Sequence, residues 1–334
     1  MKILYAIQGT GNGHLSRAKA VIPALLKRAQ VDILISGQQA DVDLPFEIKY
    51  RYKGLSFFFG KKGGIDYMST FKKNSLKTFI SEIKNCPVQD YDLIINDFEP
   101  ISAWASKFKR VNCISLSHQT ALFGSNVPKP KHFDFIGHYI LKFYARCNKN
   151  YGFHFKRYNE KTFTPIIRNK IREIKTSKEG HYTVYLPAYS DERILKILSR
   201  FKHIEWHVFS KKAIHKYSKK NIHFTPIKEG GFEKSIASCE GVLCGAGFET
   251  PAEALFLNKK LLVIPMKNQY EQHFNAAALK GLGVPVIKSL KKKYADKIKK
   301  WIEDEQKIKI DYPDNIQEVV DQVLYDYVLI SAFV

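Results

Sequence analysis

The chain has 334 residues, of which 45% are hydrophobic and 13% aromatic, enough apolar material for one large or two ordinary packed domains. This composition excludes a chain that is disordered throughout. Lys and Arg outnumber Asp and Glu by 54 to 32, which gives a formal net charge of +22. Such a charge attracts nucleic acid, anionic lipid headgroups or phosphorylated substrates, and it is also found in ordinary basic proteins.

The cysteines and the first residues bear on cellular location. The five cysteines are odd in number and form no CxxC pair, which indicates reduced thiols rather than disulfides or a zinc site. The start MKILYAIQGTG lacks the longer apolar run and the cleavage site of a signal peptide. No stretch reaches the ~20 uninterrupted apolar residues of a transmembrane helix. We expect a cytoplasmic protein, with any membrane contact peripheral and on the inner face of the cell membrane.

Strand and helix patterns alternate in the first half of the chain, which is typical of an α/β protein with a parallel sheet. KILYAI, VDILIS and FEIKYRY are predicted strands, and the helix SRAKAVIPALLKRA lies between the first two. A helix is predicted from Thr70 to Lys84. YDLIINDF and NCISLSH are further predicted strands, separated by the helix ISAWASKFK. From Lys129 to Lys178 the pattern loosens, with one helix predicted from Gly137 to Asn148.

The alternation restarts after Thr164–Gly180, where Pro165 and a run of charges suggest a domain boundary. The predicted strands are HYTVYLPA, EWHVFS, IHFTPI, GVLCGAG and KLLVIP, and the predicted helices are DERILKILSRF, GFEKSIASC, ETPAEALFLN and QHFNAAALKGLG. We therefore predict an α/β fold of two Rossmann-like, doubly wound domains facing a central cleft, residues 1–164 and 165–334. The last helix has the alternative of packing back on the first domain. Ligands should bind at the carboxyl ends of the strands.

The loop GTGNGH joins the first strand to the first helix and offers backbone N–H groups at a helix N-terminus, beside His14. Its glycine spacing is G-x-G-x-G, not the G-x-G-x-x-G of dinucleotide-binding proteins, and Ser36-Gly37-Gln38 ends the second strand without a ribose-binding acid. No Gly-Lys-Ser/Thr follows, so it is not a P-loop. Gly11 and Gly13 predict close approach of the backbone to a ligand, or a turn with a structural role alone.

A second glycine-rich turn lies in GVLCGAGFETPAEALFLNKKLLVIPMKNQYEQHFNA and is more specific. A strand ends at Gly245-Ala246-Gly247, and a helix follows with Pro251 in its first turn, where proline is favoured. The free N–H groups and the dipole of that helix suit a diphosphate. Glu253 could accept hydrogen bonds from a ribose diol, and Gln269–Gln272 could bind sugar hydroxyls. The candidate donor-binding residues are Gly11, Gly13, Gly245, Ala246, Gly247, Phe248, Glu249, Thr250, Glu253, Gln269, Glu271 and Gln272.

These motifs resemble the nucleotide-sugar site of GT-B glycosyltransferases of families 28 and 1, which include the bacterial N-acetylglucosaminyltransferase of peptidoglycan lipid intermediates. Those enzymes carry a Gly-rich turn, Thr or Ser, Glu-Ala, a strand ending in Pro, and Asp/Glu-Gln-x-x-Asn-Ala. The corresponding pieces here are Gly245-Ala246-Gly247, Thr250, Glu253-Ala254, Pro265 and Glu271-Gln272-His273-Phe274-Asn275-Ala276. The GTGNGH loop also resembles the first glycine loop of these families.

Three shorter motifs resemble a further group of bacterial and archaeal GT-B proteins: Asn96–Pro100, Ser117–Gln119 and Thr164–Arg168. For that group the resemblance implies glycosyl transfer without a particular substrate. Two departures from the family 1 pattern leave the donor sugar open. Cys244–Gly247 stands where His-Gly-Gly is frequent, and the pair Glu271-Gln272 replaces Asp-Gln.

The resemblance implies inverting transfer of a sugar from a nucleoside diphosphate donor, expected to be UDP-linked, to a glycan or lipid-linked acceptor of the cell envelope. We expect no cofactor and no metal. The reaction needs a base and stabilisation of the leaving diphosphate. His14 is the first candidate for the base, Asp97 and Glu99 are its rivals, and His118 is the third. Alternatively Asp97 caps a helix, Glu99 orients His14 or the acceptor hydroxyl, and His118 only closes a strand.

Two basic, aromatic stretches suggest contact with a lipid-linked acceptor or an anionic membrane surface. They are GLSFFFGKKGGIDY, residues 54–67, and SLKKKYADKIKKWI, residues 289–302. A core strand with its turn and an ordinary surface helix are the alternatives. Three other functions stay open, one of them a degenerate, sugar-sensing GT-B protein. A non-hydrolysing UDP-N-acetylglucosamine 2-epimerase would share the fold, and a nucleic-acid-binding protein would share the charge, although no signature of nucleic-acid binding occurs.

Overall fold

A computed structural model describes residues 1–10, 12–37, 44–55 and 75–331. Within them the chain forms two sheets, one from each half, with helices packed on both. The predicted α/β fold of two Rossmann-like domains is confirmed. The first sheet ends at Phe163 and the second begins at His181. The domain limits 1–164 and 165–334 agree with that gap and stay a prediction.

The first sheet has the strand order β3-β2-β1-β4-β5-β6-β7, with every neighbouring pair parallel. The central strands β1 and β4 are almost entirely buried and apolar, as parallel strands covered on both faces must be. Ile7 pairs with Asp97, so the loop after β1 begins beside the end of β4. The strands are β1 (Lys2–Gln8), β2 (Gln30–Ser36), β3 (Tyr50–Tyr52), β4 (Leu93–Asp97), β5 (Cys113–Leu116), β6 (Lys149–Phe153) and β7 (Thr162–Phe163).

Several helices of the first half begin at polar caps. Ser75 accepts a hydrogen bond from the N–H of Thr78, and Asp134 accepts one from the N–H of Gly137. Both side chains thus satisfy helix N–H groups that have no partner within the helix. The helices are α1 (Asn12–Leu26), α2 (Leu76–Asn85), α3 (Pro100–Lys109), α4 (His118–Ala121), α5 (Phe135–Phe143) and α6 (Asn169–Arg172).

The second sheet has the order β10-β11-β9-β8-β12-β13, and its edge strand β10 is antiparallel. The strands are β8 (His181–Tyr185), β9 (Glu205–Ser210), β10 (Tyr217–Lys219), β11 (Ile222–Pro226), β12 (Gly241–Gly245) and β13 (Lys260–Ile264). The helices are α7 (Asp191–Leu198), α8 (Phe232–Ser238), α9 (Glu249–Phe256), α10 (Tyr270–Gly281), α11 (Ala295–Glu303) and α12 (Ile316–Ser331).

The last helix, α12, packs back on the first half of the chain. Its Val320 and Val323 share an apolar core with Val21 of α1. Arg28 makes two 2.7 Å hydrogen bonds to the carboxylate of Asp321. The alternative of a returning last helix is therefore the arrangement found.

The structure differs from the predicted elements where the chain is polar or at a sheet edge. The strand predicted in FEIKYRY is reduced to Tyr50–Tyr52, because only these residues pair with β2. The helix predicted over residues 70–84 is described from Leu76, and the helix predicted over 137–148 spans Phe135–Phe143. Strands β6 and β7 lie in the segment whose pattern had loosened. In the described ranges no helix has the length and apolar character needed to cross a membrane.

Candidate active site

The carboxyl ends of the two sheets meet across a cleft. The side-chain hydrogen bonds that cross it include Arg17 to Glu249 at 3.0 Å, His118 to Asn275 at 2.8 Å, and Gln119 to Glu271 at 3.2 Å. The first residue of each pair follows β1 or β5, and the second follows β12 or β13. Open α/β sheets bind their ligands at the carboxyl edge of the strands, so this cleft is the candidate active site.

His14 and Asp97 form a pair at the bottom of the cleft. His14 lies in the first turn of α1, and its Nδ1 is 2.9 Å from Oδ1 of Asp97, the last residue of β4. Asp97 is fully buried and His14 is 8% exposed. An ionised carboxylate only accepts hydrogen bonds, so a hydrogen bond across this contact needs the imidazole proton on Nδ1. Nη2 of Arg17, which only donates, lies 3.1 Å from the same Nδ1 and donates to Oδ1 of Asp97 at the shorter distance of 2.8 Å. The Nε2 lone pair is then left to take a proton from another molecule.

Arg17 holds Asp97 in its ionised form. Its Nε lies 3.0 Å from Oδ2 of Asp97 and its Nη2 lies 2.8 Å from Oδ1, a two-point contact. Burial alone would raise the pKa of the Asp97 carboxyl, but Arg17 and His14 outweigh it and hold that pKa below its ordinary value of 3.8. The sequence reasoning missed Arg17. Its spacing of three residues from His14, which puts both on one helix face, was the signal.

Phe98 turns the chain sharply after Asp97. Its φ of 57° is left-handed, a conformation that costs of the order of 1–3 kcal/mol in a residue of this size. Its ring stacks against the His14 imidazole with centroids 6.3 Å apart and lies 4.9 Å from the ring of Tyr144. The strained turn lies between Asp97, which ends β4, and Glu99, which caps α3.

Glu99 is the capping acid of this segment. Its carboxylate accepts hydrogen bonds from the N–H groups of Ile101 at 2.6 Å and Ser102 at 2.7 Å, and from the hydroxyl of Ser36 at 2.6 Å. The side chain is fully buried, and that burial raises its pKa. The helix-capping role considered for Asp97 therefore belongs to Glu99. No described contact joins Glu99 to His14.

His118 connects the two domains. Its Nδ1 lies 2.8 Å from the carbonyl oxygen of Phe153, and its Nε2 lies 2.8 Å from Oδ1 of Asn275. The ring stacks on that of Phe248, with centroids 3.8 Å apart and an interplanar angle of 11°. Burial lowers the pKa of His118. Both ring nitrogens already contact protein oxygens, so the structure leaves no open position on His118 for a substrate proton.

Gln119 reaches Nε2 of His14 from the other side. Its Nε2 lies 3.4 Å from Nε2 of His14 and donates to Oε2 of Glu271 at 3.2 Å. Because Glu271 only accepts, it orients the amide so that the NH₂ group faces the imidazole lone pair. A chain of contacts therefore runs from Asp97 through His14 and Gln119 to Glu271, and joins the candidate base to a candidate sugar-binding residue.

The second glycine-rich turn faces the first glycine loop. Gly245 ends β12, and Glu249 begins α9. A methyl group at Gly13 would lie 2.6 Å from Oε2 of Glu249, so glycine at this position lets the carboxylate approach the start of α1. At Gly247 an added methyl group would meet no atom within 4 Å, so this part of the turn has open space beside it.

Glu253 forms an ion pair with an arginine that sequence reasoning also missed. Arg168 donates from Nε to Oε1 of Glu253 at 2.6 Å and from Nη2 to Oε2 at 2.9 Å, and its Nη1 reaches Glu233 at 3.1 Å. Burial raises the pKa of Glu253, and Arg168 opposes that rise. The TPIIR motif that ends at Arg168 was the available signal.

The remaining candidates lie at the start of α10 and in the turn after β12. Gln272 accepts a hydrogen bond from the N–H of Met266 at 2.9 Å, while Gln269 occupies the cap position of α10 and its buried Oε1 has no partner. Thr250 lies in the first turn of α9. The carbonyl of Ala246 accepts a hydrogen bond from Asn275 at 3.1 Å.

Gly11, together with the aromatic stretch at residues 56–67, lies outside the described residues.

Within the described ranges no three or more His, Cys, Asp and Glu side chains are grouped to hold a metal ion. Asp41 and Asp43, two acids separated by one residue, lie outside those ranges.

Solved structures with the same fold come from several organisms. MurG of Acinetobacter baumannii is 13% identical, with a TM-score of 0.58 over 97% of this chain and 99% of that one. UGT2 of Phytolacca americana, complexed with UDP-2-fluoro-glucose and pterostilbene, is 14% identical, with a TM-score of 0.58 over 96% and 93%. UDP-N-acetylglucosamine 2-epimerase of Rickettsia bellii is 14% identical, with a TM-score of 0.61 over 98% and 96%. At these identities the similarity shows the fold.

Two Rossmann-like domains that face a cleft at the carboxyl ends of their strands define the GT-B class of fold. A family model described as glycosyl transferase family 1 matches residues 1–304. The match spans most of the chain, and the protein belongs to that family. A comparison with curated protein sequences gave no match.

Proposed function

We propose that the protein transfers a sugar from a nucleoside diphosphate donor, UDP-linked, to an acceptor hydroxyl with inversion and without a metal. The observation that carries the proposal is the buried Asp97–His14 pair, whose 2.9 Å contact leaves Nε2 of His14 directed into the cleft. His14 is the general base, and Asp97 fixes its tautomer and stabilises the imidazolium that forms.

The reaction is a single displacement. Nε2 of His14 takes the proton of the acceptor hydroxyl while that oxygen bonds to the anomeric carbon of the donor sugar. The bond from that carbon to the diphosphate breaks on the opposite face, and its electron pair leaves with the diphosphate. Gln119, 3.4 Å from Nε2 of His14, occupies the position that the hydroxyl needs and moves aside when the acceptor binds.

The donor binds to the second domain. The N–H groups at the start of α9 and the open turn at Gly247 suit the diphosphate. Glu253 binds the ribose diol, since each carboxylate oxygen that accepts from Arg168 keeps a second lone pair. Glu271 and Gln272 bind hydroxyls of the sugar. The UDP-2-fluoro-glucose bound to the similar Phytolacca americana enzyme supports a UDP-linked donor. The acceptor is a glycan or a lipid-linked glycan.

A thermal-shift screen with UDP-, GDP- and dTDP-sugars tests the donor site, because a ligand that binds only the folded state raises the melting temperature. We expect UDP-sugars to stabilise the protein with and without EDTA. If none of the nucleotide sugars stabilised the protein, the proposed donor site would be wrong. If EDTA abolished the stabilisation, the proposal of a metal-free mechanism would be wrong.

Two substitutions separate donor binding from chemistry. Glu253→Gln is expected to weaken UDP binding about tenfold, as loss of a charge-assisted hydrogen bond to the ribose would. His14→Ala is expected to lower transfer to an acceptor by about 10²- to 10⁴-fold with UDP binding unchanged. Glu303→Gln and His215→Ala, both on exposed side chains, are the matched controls. Full transfer activity in His14→Ala would exclude His14 as the base.

An epimerase is the alternative, because the Rickettsia bellii enzyme shares the fold over 98% of this chain. An epimerase converts UDP-N-acetylglucosamine without any acceptor. Incubation of the protein with this compound alone, followed by NMR of the sugar, is expected to show no new epimer. Appearance of the 2-epimer would replace the transferase proposal.

A further inference from the structure

A cluster of large apolar side chains is exposed beside the cleft. Phe133, Phe135, Ile136 and Tyr139 are 53%, 70%, 59% and 58% exposed, within seven consecutive residues at the start of α5. Phe133 and Phe135 pack edge to face, with centroids 4.7 Å apart, so the rings support one another without being covered. A contiguous exposed patch of this kind marks an interaction surface.

The opposite face of α5 is used by the fold. Gly137 is buried, and a methyl group there would lie 2.6 Å from Cβ of Tyr270 in α10. Leu141 packs with Leu122, Tyr270 and Phe274 in a small apolar cluster. Because these contacts fix the orientation of α5, its aromatic face points to solvent as a property of the fold.

The segment that carries the patch is basic. Residues 128–157 contain seven Lys and Arg residues and one acid, Asp134, which caps α5. The exposed cations nearest to the aromatic side chains in sequence are Lys129, Lys131, Lys142 and Arg146. Nζ of Lys142 lies 5.6 Å from the ring centroid of Phe143, and Cζ of Arg146 lies 5.9 Å from it. Cations and aromatic rings therefore share one surface. We call these four cations and the four exposed apolar residues the α5 patch.

We propose that the α5 patch binds the surface of an anionic lipid bilayer, with its aromatic side chains in the headgroup region and its cations on lipid phosphates. Aromatic rings favour the membrane interface, and Lys and Arg close to an anionic leaflet add attraction. A second copy of the chain fits less well, because a symmetric contact would bring two sets of cations together. Vesicle binding needs no substrate, so the inference stands apart from the proposed reaction.

The position of the patch adds a consequence. α5 packs on Tyr270, the first residue of α10, and Glu271 of the candidate sugar site comes next in the chain. A bilayer bound to the α5 patch therefore lies beside the cleft. An acceptor held in that bilayer would reach His14 without leaving the membrane surface.

Sedimentation with vesicles tests the proposal. Wild type is expected to bind vesicles of phosphatidylcholine with phosphatidylglycerol, and to bind phosphatidylcholine vesicles more weakly. The double substitution Lys142→Glu/Arg146→Glu is expected to weaken binding at least about tenfold. Phe135→Ser/Ile136→Ser is expected to weaken it by a similar factor, through loss of apolar burial. Lys211→Glu/Lys212→Glu and Ile214→Ser, on exposed residues of the second domain, are the matched controls.

A fluorescent reporter shows whether the patch itself enters the bilayer. With the Trp background of wild type subtracted, Phe135→Trp is expected to shift its emission to the blue on binding anionic vesicles and to be quenched by brominated acyl chains. Ile214→Trp, at a side chain 90% exposed, is expected to show neither change.

Three results would overturn the proposal. Equal vesicle binding by wild type and both patch variants would place the contact elsewhere. Binding lost in the charge variant but retained in Phe135→Ser/Ile136→Ser, with no change in Trp emission, would indicate a general site for polyanions such as nucleic acid. A dimer of wild type in sedimentation equilibrium that Phe135→Ser/Ile136→Ser converts to monomer would assign the patch to a second copy.

Discussion

Asp97 is the residue on which the geometry of the cleft depends most. It is fully buried, and its two oxygens contact His14 and Arg17 from one helix. Removing one partner of a buried charge pair leaves the other charge uncompensated, which is costly. The arrangement of His14 and Arg17 around position 97 is therefore kept only if the new side chain has the size of Asp97 and still forms hydrogen bonds.

Asp97→Asn is expected to leave the protein folded and to lower transfer activity about 10²- to 10⁴-fold, because an amide cannot stabilise the imidazolium and can select the other tautomer of His14. The measurements are kcat with an acceptor and Kd for UDP, which should be unchanged. Asp90→Asn, at an exposed acid, is the control. Undiminished kcat would show that Asp97 has no part in the chemistry.

The same residue makes a prediction about pH. The pKa of Asp97 is lower in the folded protein than its ordinary value of 3.8, so the unfolded chain binds the proton more readily. Its stabilising contribution is present above that value and is lost as the pH falls through the folded pKa. The free energy of unfolding of wild type should fall more steeply than that of Asp97→Asn between about pH 4 and pH 2. Parallel urea-denaturation curves over this range would contradict the assignment.

At this scale the sequence predicted candidates but not their partners. His14 and Asp97 were predicted as rivals for one role, and the structure pairs them because Ile7 and Asp97 are neighbours across β1 and β4. Sheet register is a tertiary property that no local motif encodes. Arg17 and Arg168 were missed for the same reason, since each pairs with an acid far along the chain.

At the scale of elements, α5 has two faces with different roles. One face packs on α10 through Gly137, whose lack of a side chain allows the close approach to Tyr270. The other face carries Phe135, Ile136 and Tyr139 to solvent. Glycine inside a helix lowers helix propensity, so its presence here is explained by packing.

Gly137→Ala is expected to lower the free energy of unfolding by about 1–3 kcal/mol, because the new methyl group would overlap Cβ of Tyr270 and force the helices apart. Gly281→Ala in α10 is the matched control. There the methyl group would meet only Pro128, at 3.9 Å, so stability should be unchanged or slightly higher. Equal stability of the two variants in urea denaturation would contradict the close packing of α5 on α10.

The sequence predicted long apolar strands more accurately than short ones. KILYAI and YDLIINDF are apolar over several residues, and both became central strands of the first sheet. β7 has two residues, and β6 begins with Lys149 and Asn150. β7 is the edge strand and β6 lies next to it, so both depend on the strands they pair with, and their own residues carry little β-strand pattern.

At the scale of the whole molecule, the two domains are held together by polar contacts inside the cleft and by α12. Asn275 of the second domain contacts residues of both domains. Its Oδ1 faces His118 of the first domain, and its Nδ2 donates to the carbonyl of Ala246 in the second. It is fully buried. The fold class followed from alternating strands and helices, whereas contacts between domains depend on how two finished sheets dock.

Asn275→Ala is expected to lower the free energy of unfolding by about 1–3 kcal/mol, because it leaves the carbonyl of Ala246 and Nε2 of His118 buried without this partner. Asn85→Ala, at an exposed asparagine on α2, is the control and should change stability by less than about 0.5 kcal/mol. Similar stability of both variants would show that Asn275 does not bear on docking of the domains.

The approach of Glu249 to Gly13 has a kinetic consequence. In the structure the glycine loop at the start of α1 already faces a negative group that belongs to the other domain. A diphosphate and this carboxylate repel one another, so on the proposed function the donor diphosphate and Glu249 do not share this space. We therefore expect the contact between Arg17 and Glu249 to break when the donor binds, and each catalytic cycle then includes a movement of Glu249 away from Gly13 and back.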